Sequence, residues 1–167
     1  MVRASELAFR MLVRSHGVEL CYTPMLSARA FLAMDLTERE RFVEPNAQDR
    51  PLIVQFCTNS PDEFLDAAIA AQHLCDAVDL NLGCPVDLGR GYGAILAEQQ
   101  PDLCVGIVRR AASSTLLKVP VTCKIRIQER GTTPSFAKRL QDAGCSMVCV
   151  HCRTRAQGGR GAGDWGE

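Results

Sequence analysis

Apolar and polar positions alternate along this chain with two periods. Residues 5–17 (SELAFRMLVRSHG) carry Leu7, Met11 and Leu12 on one helical stripe, open on a serine at the N-cap position and close on glycine, so the spacing predicts a helix. Residues 19–25 (ELCYTPM) predict a strand that proline stops, and residues 27–34 (SARAFLAM) a short helix. Residues 51–57 (PLIVQFC) predict a buried strand. Residues 60–75 follow as a helix, with Ser60 as cap, proline in the first turn, and Asp62 and Glu63 at the positive end of the dipole. Strands are then predicted at 77–84 (AVDLNLGC), 120–127 (PVTCKIRI) and 146–154 (SMVCVHCRT), with helices at 102–115 and 133–145 between them. The tail, 156–167, is glycine-rich loop.

Strand and helix alternate five times, which predicts a parallel sheet with helical crossovers. No GxGxxG follows a strand, so the dinucleotide fingerprint of the open doubly wound fold is missing. The expected fold is α/β, an incomplete (β/α)8 TIM-type barrel of five to six βα units forming a single partial domain over 1–167. A complete barrel takes about 250 residues.

Four successive strands carry a polar residue at or near the C-terminal end: Gln55, Asn81, Lys124 and His151. In a parallel barrel those ends converge on one rim, where active sites form. Alternation puts Asp79 on the face of Asn81, Arg126 on that of Lys124 and Cys149 on that of His151. Taken singly, Gln55 reads as a satisfied core amide and His151 as a structural histidine. A buried lysine needs a partner or a lowered pKa, and an ion pair of Lys124 with Asp79 across neighbouring strands is open. Cys84 reads either as a small buried hydrophobe or as a reactive thiol in a turn, since it follows Gly83 and precedes Pro85.

Composition narrows the classes. Of 167 residues, 47% are hydrophobic and 23% charged, a globular composition, and no apolar run approaches the ~18 residues of a membrane span. The N-terminal segment MVRASELAFR has charges where a signal peptide would be apolar, so a cytoplasmic chain is expected, the nucleus remaining open. Nine cysteines, an odd number mostly within apolar runs, fit reduced thiols. Cys149 and Cys152 form a C-x-x-C without a second, on opposite strand faces, so no metal is expected. Net charge is zero, but residues 1–83 hold 7 basic and 12 acidic side chains and residues 84–167 hold 12 basic and 7 acidic. The second half is the one suited to phosphate.

The segments MVRASELAFRMLVR, LCYTPM, DRPLIVQFC, DAVDLNLGCP, GYGAIL, VTCKIRI and VHCRTR, in this order, resemble the tRNA-dihydrouridine synthases, and the eukaryotic branch most. The resemblance implies an FMN-binding TIM barrel followed by a small helical tRNA-binding domain. It implies hydride transfer from FMN to C6 of a D-loop uridine, the 20a/20b positions being one candidate, with Cys84 as the general acid at C5 and NADPH as reductant. It assigns Met1, Gln55, Lys124 and His151 to cofactor binding, and Asn81 and Arg153 to the substrate. No membrane partner is implied.

Departures from the family pattern carry expectations of their own. The first strand is reduced to Met1-Val2, the loop VDLGRGYG after Cys84 is about two residues short, and Cys152 stands where the family has glycine. The last barrel strands, which grip the FMN phosphate, and the tRNA-binding domain are expected to be absent, leaving a fragment with little activity of its own, or one completed by a partner or a missing C-terminal half. Two other readings stay open: an FMN-dependent dehydrogenase of free pyrimidines, and a non-catalytic half-barrel that binds or regulates a partner.

Overall fold

A computed structural model describes residues 4–86, 91–128 and 131–166. The described elements run α1 (Leu7–Ser15), β1 (Cys21–Tyr22), β2 (Leu26–Ser27), α2 (Ala28–Leu32), α3 (Leu36–Val43), β3 (Leu52–Cys57), α4 (Pro61–Ala71), β4 (Ala77–Leu82), α5 (Ala94–Gln99), α6 (Pro101–Ala112), β5 (Val121–Arg126), α7 (Thr133–Asp142) and β6 (Met147–His151). All strand pairs are parallel, in the order β1-β3-β4-β5-β6, and β2 also pairs with β3. This is the expected incomplete (β/α)8-type barrel. No described helix is long and apolar enough to cross a membrane.

The two faces of the sheet have different chemistry because side chains alternate. Leu52, Val54 and Phe56 of β3, Val78, Leu80 and Leu82 of β4, and Val121, Cys123 and Ile125 of β5 join one buried apolar cluster. Against it pack Phe64 and Ala68 of α4, Ile107 and Val108 of α6, and Phe136 and Leu140 of α7. Each large side chain buried there contributes about 1.5–3 kcal/mol. The opposite face carries the intervening residues: Gln55, Asp79 and Thr122 lie in one row of the register, and Asn81, Lys124 and Cys149 in the next.

Several local expectations are corrected. Ser5 does not cap α1: Glu6 holds that position without a side-chain bond, and the Leu7 N–H donates instead to Glu44 Oε2 at 3.0 Å. The stripe is also different, since Leu12 is exposed and Arg10 is the buried residue of the helix. Arg10 is 1% exposed because it donates from Nε to Asp49 at 2.7 Å and from its terminal nitrogens to the carbonyls of Ser5 and Val43. Arg14 donates to the other oxygen of Asp49 at 2.8 Å and to the carbonyls of Glu19, Arg50 and Pro51.

The strand expected at 19–25 is split. Proline cannot donate to a ladder, so pairing with β3 stops before Pro24 and resumes in β2. Thr23 fills the gap: its hydroxyl accepts the Gln55 N–H at 3.2 Å while its own N–H donates to the Ile53 carbonyl at 2.9 Å. Helices α3 and α5 are additions to the pattern read above.

Candidate active site

Strand β4 ends in a turn, Gly83-Cys84, whose four backbone polar groups are all engaged. Asn81 Oδ1 accepts both N–H groups, at 3.1 Å from Gly83 and 2.8 Å from Cys84. Arg126 Nε donates to the Gly83 carbonyl at 2.6 Å, and the Ala94 N–H donates to the Cys84 carbonyl at 3.0 Å. Pro85 has no N–H to satisfy. An asparagine three residues before the cysteine is therefore an Asx-type brace for the turn.

The turn stands over a cavity of about 440 Å³ lined by Tyr22, Met25, Gln55, Asn81, Gly83, Cys84, Pro85, Lys124, Arg126 and His151. Its floor is a chain of side-chain hydrogen bonds. Asn81 Nδ2 donates to Gln55 Oε1 at 2.9 Å, and Gln55 Nε2 donates to Asp79 Oδ2 at 2.9 Å. Thr122 Oγ1 donates to Asp79 Oδ1 at 2.6 Å. The open alternative of a Lys124–Asp79 ion pair is not realised: Lys124 sits opposite Asn81 in the register. It is near enough to draw the Asp79 pKa down, yet burial dominates and pushes that carboxyl up to about 6, against the hydrogen bonds from Thr122 and Gln55.

Tyr22 and His151 both line the cavity, and each carries a buried polar atom, Oη and Nδ1, without a hydrogen-bond partner among the described residues. Burial, reinforced by the Asp79 charge, raises the Tyr22 pKa, so the phenol remains a donor. Burial, with the cations Arg126, Lys124 and Arg153, lowers the His151 pKa, which favours the neutral imidazole. Unpartnered buried groups are rare in folded proteins. The ammonium of Lys124, the amide nitrogens of Gln55 and Asn81 and the phenol of Tyr22 make a donor-rich lining, to which the His151 imidazole adds a group that can donate or accept, and such a lining suits a planar heteroaromatic bearing several acceptors, as a flavin does. A larger hollow of about 670 Å³, lined by residues including Glu98, Gln128, Phe136 and Arg139, contains neither unpartnered group, so the smaller cavity is the candidate site.

Five of the expected site residues thus converge: Gln55, Asn81, Cys84, Lys124 and His151. Arg153 does not line the cavity; its Nε donates to the Gly161 carbonyl at 2.9 Å, although its charge is felt by His151. Met1 lies outside the described residues, as do residues 87–90 of the loop after Cys84. Cys84 differs from six of the other cysteines in being only half-buried, a property shared with Cys149 and Cys152. Sequence reasoning missed Tyr22, whose signal was a polar-tipped aromatic just before the Thr-Pro that splits its strand.

The whole chain, residues 1–167, matches the family model described as dihydrouridine synthase. The chain belongs to the dihydrouridine synthase family. Similar proteins include the tRNA-dihydrouridine(16/17) synthase [NAD(P)(+)]-like protein of Rattus norvegicus, 48% identical over 167 residues, covering 98% of this chain and 37% of the relative. The tRNA-dihydrouridine(16/17) synthase [NAD(P)(+)] of Saccharomyces cerevisiae is 42% identical, covering 98% of this chain and 39% of its own length. The tRNA-dihydrouridine(20a/20b) synthase [NAD(P)+]-like protein of Homo sapiens is 36% identical, covering 92% of this chain and 49% of its own length. The chain therefore spans between about a third and a half of these family members.

Two predictions arise from this geometry. Gly93 has φ +76°, and a Cβ there would stand 2.8 Å from the Cys84 carbonyl oxygen and 3.1 Å from its Cβ. Gly93→Ala should cost about 1–3 kcal/mol for the forced backbone conformation and displace the Cys84 turn, read by denaturant unfolding and by faster alkylation of Cys84. The second prediction concerns Asp79. Its raised pKa means the fold favours the protonated acid, so its contribution is fully present below about pH 4 and is lost as pH rises through about 6. The span corresponds to about 3 kcal/mol. His151, with its lowered pKa, acts in the opposite direction, so the informative quantity is the difference from Asp79→Asn. That variant should gain stability relative to the native chain between pH 4 and 7 in a series of urea titrations.

Proposed function

We propose that this chain is the N-terminal part of the catalytic barrel of a tRNA-dihydrouridine synthase, which reduces the C5=C6 bond of a D-loop uridine with FMN as cofactor and NADPH as reductant. The observation that carries the reading is a half-buried thiol on a fully braced turn above a donor-rich cavity, whose lining residues include two with buried polar groups unpartnered among the described residues. The remaining barrel strands and the helical tRNA-binding domain are proposed to lie outside residues 1–167, in keeping with the share of each relative that is covered.

Bound FMN would supply the hydride for C6 of the uracil. The protein residues do the rest. Gln55, Lys124 and His151 offer hydrogen bonds to the heteroaromatic and ribityl parts of the cofactor, and Tyr22 adds a phenolic donor. Cys84 Sγ holds the proton destined for C5. Asn81 braces the cysteine turn and presents its amide beside it to the base. Arg153 adds positive charge next to His151, where an RNA backbone gains from it. Met1 is proposed for the cofactor on the family pattern alone. The cytoplasm is the proposed compartment. The higher identity to 16/17 relatives than to 20a/20b relatives favours positions 16/17 over the 20a/20b candidate.

The test is a titration of the protein containing this chain with FMN, followed by quenching of flavin fluorescence. Saturable binding is expected. Lys124→Ala and His151→Ala should each weaken it about 10-fold or more, the size of one lost charge-assisted or buried hydrogen bond. Absence of binding, or binding indifferent to both substitutions, would overturn the reading.

A further inference from the structure

The hydrogen-bond chain beneath the cavity has a direction. Its upper end consists of two backbone N–H groups, of Gly83 and Cys84, which can only donate, so Asn81 must turn its oxygen to them. That leaves Asn81 Nδ2 facing Gln55, which must present Oε1. Gln55 Nε2 then faces Asp79, which is fully buried and receives its second hydrogen bond from Thr122. An amide in isolation can be turned end for end at little cost, but these two cannot, because a donor pair fixes one end and a carboxylate acceptor fixes the other. Both amide nitrogens keep a second hydrogen without an acceptor among the described residues, on a cavity that both side chains line.

We propose that Asp79 is a positioning residue that acts through Gln55 and Asn81 to hold the Cys84 turn in one orientation and to present N–H groups, rather than carbonyls, to the cavity. Asp79 itself does not line the cavity. Its influence reaches the turn through two side chains, from a position five residues before Cys84. The importance of that turn rests on the proposed role of Cys84, but the relay is a property of the protein alone and is tested without cofactor, substrate or turnover.

The relay predicts which substitutions fit. Asp79→Asn keeps an oxygen for Gln55 and offers its amide hydrogen to Thr122 Oγ1, which already lies 3.3 Å from the Val78 carbonyl and can donate there. The direction is preserved. Asn81→Asp still accepts from Gly83 and Cys84 but has nothing to donate to Gln55, which is then caught between two carboxylates. The double variant carrying Asp79→Asn and Asn81→Asp reverses the middle of the chain: the carboxylate at 81 accepts from Gln55 Nε2, Gln55 Oε1 accepts from the amide at 79, and Thr122 donates to the remaining oxygen.

The experiment measures hydrogen exchange of the Gly83–Cys84 amides in the protein containing this chain, without added ligand, together with the thermal midpoint. Exchange should rise at least about 10-fold in Asn81→Asp, stay within about 2-fold of native in Asp79→Asn, and return towards native in the double variant, the factor of 10 being one 1.4 kcal/mol hydrogen bond. Recovery in the double variant, including recovery of folding where Asn81→Asp alone unfolds, supports the relay. A double variant no better than Asn81→Asp, both unfolding included, overturns it, and so does an Asn81→Asp protein whose turn exchanges as the native one does. Failure of FMN binding or of uridine reduction would strike the proposed function and leave these exchange rates untouched.

Discussion

Cys84→Ala should lower the rate of dihydrouridine formation by about 10²–10⁴-fold, the range contributed by a positioned general acid. The proton at C5 is transferred only as the reaction proceeds, so the loss belongs in kcat with KM for tRNA little changed. NADPH oxidation in the absence of tRNA needs no thiol proton and should continue. The turn gives the substitution its selectivity: every backbone polar group of Gly83 and Cys84 is held by Asn81, Arg126 or Ala94, and none by the thiol. Removing Sγ therefore leaves the brace in place. A single-turnover assay with reduced enzyme and unmodified tRNA separates the outcomes. A rate within about 3-fold of native would remove Cys84 from the chemistry.

Asp49→Ala should be strongly destabilising, although it lies away from the site. Asp49 has no exposed side-chain surface and receives Nε donors from Arg10 at 2.7 Å and Arg14 at 2.8 Å. Together they fasten α1 to the segment that enters β3, and Arg10 reaches on to the carbonyl at the end of α3. Deleting one member of a buried ion cluster leaves the other charges uncompensated, at a cost of about 3–5 kcal/mol. Urea unfolding should register that loss with an unchanged m-value. Asp49→Asn keeps an acceptor for one arginine and should fall between Asp49→Ala and the native chain. A loss below about 1 kcal/mol for Asp49→Ala would mean that α1 is held by its apolar contacts instead.

The cluster also marks the boundary of what the sequence makes legible. Arg10 looks like the solvent face of an amphipathic helix, and nothing local announces a partner 39 residues away. Leu12 is exposed although the stripe groups it with Leu7 and Met11, which are partly buried. Strands β4 and β5 are readable from sustained alternation, and β3 and β6 from short apolar runs that open after Pro51 and Ser146. The convergence of Gln55, Asn81, Lys124 and His151 followed from strand polarity alone. Helix α3 had a readable signal, the capping box of Asp35 and Glu38, but its strongly polar composition hid it. Helix α5 is six residues entered from a positive-φ glycine, too short for any periodicity. The Asp79–Gln55–Asn81 chain needs the register between three strands, which periodicity does not supply.

The proposed reduction is read out by incubating the protein containing this chain with FMN, NADPH and unmodified tRNA transcripts, then digesting the RNA and searching each D-loop uridine for two added hydrogens by mass spectrometry. Dihydrouridine is expected in tRNA treated with the native protein and should be lost with Cys84→Ala, positions 16 and 17 being the first to inspect. Unmodified tRNA from a folded, FMN-loaded protein would contradict the account, and would turn attention to residues 1–167 as a half-barrel that binds a partner without catalysing the reduction.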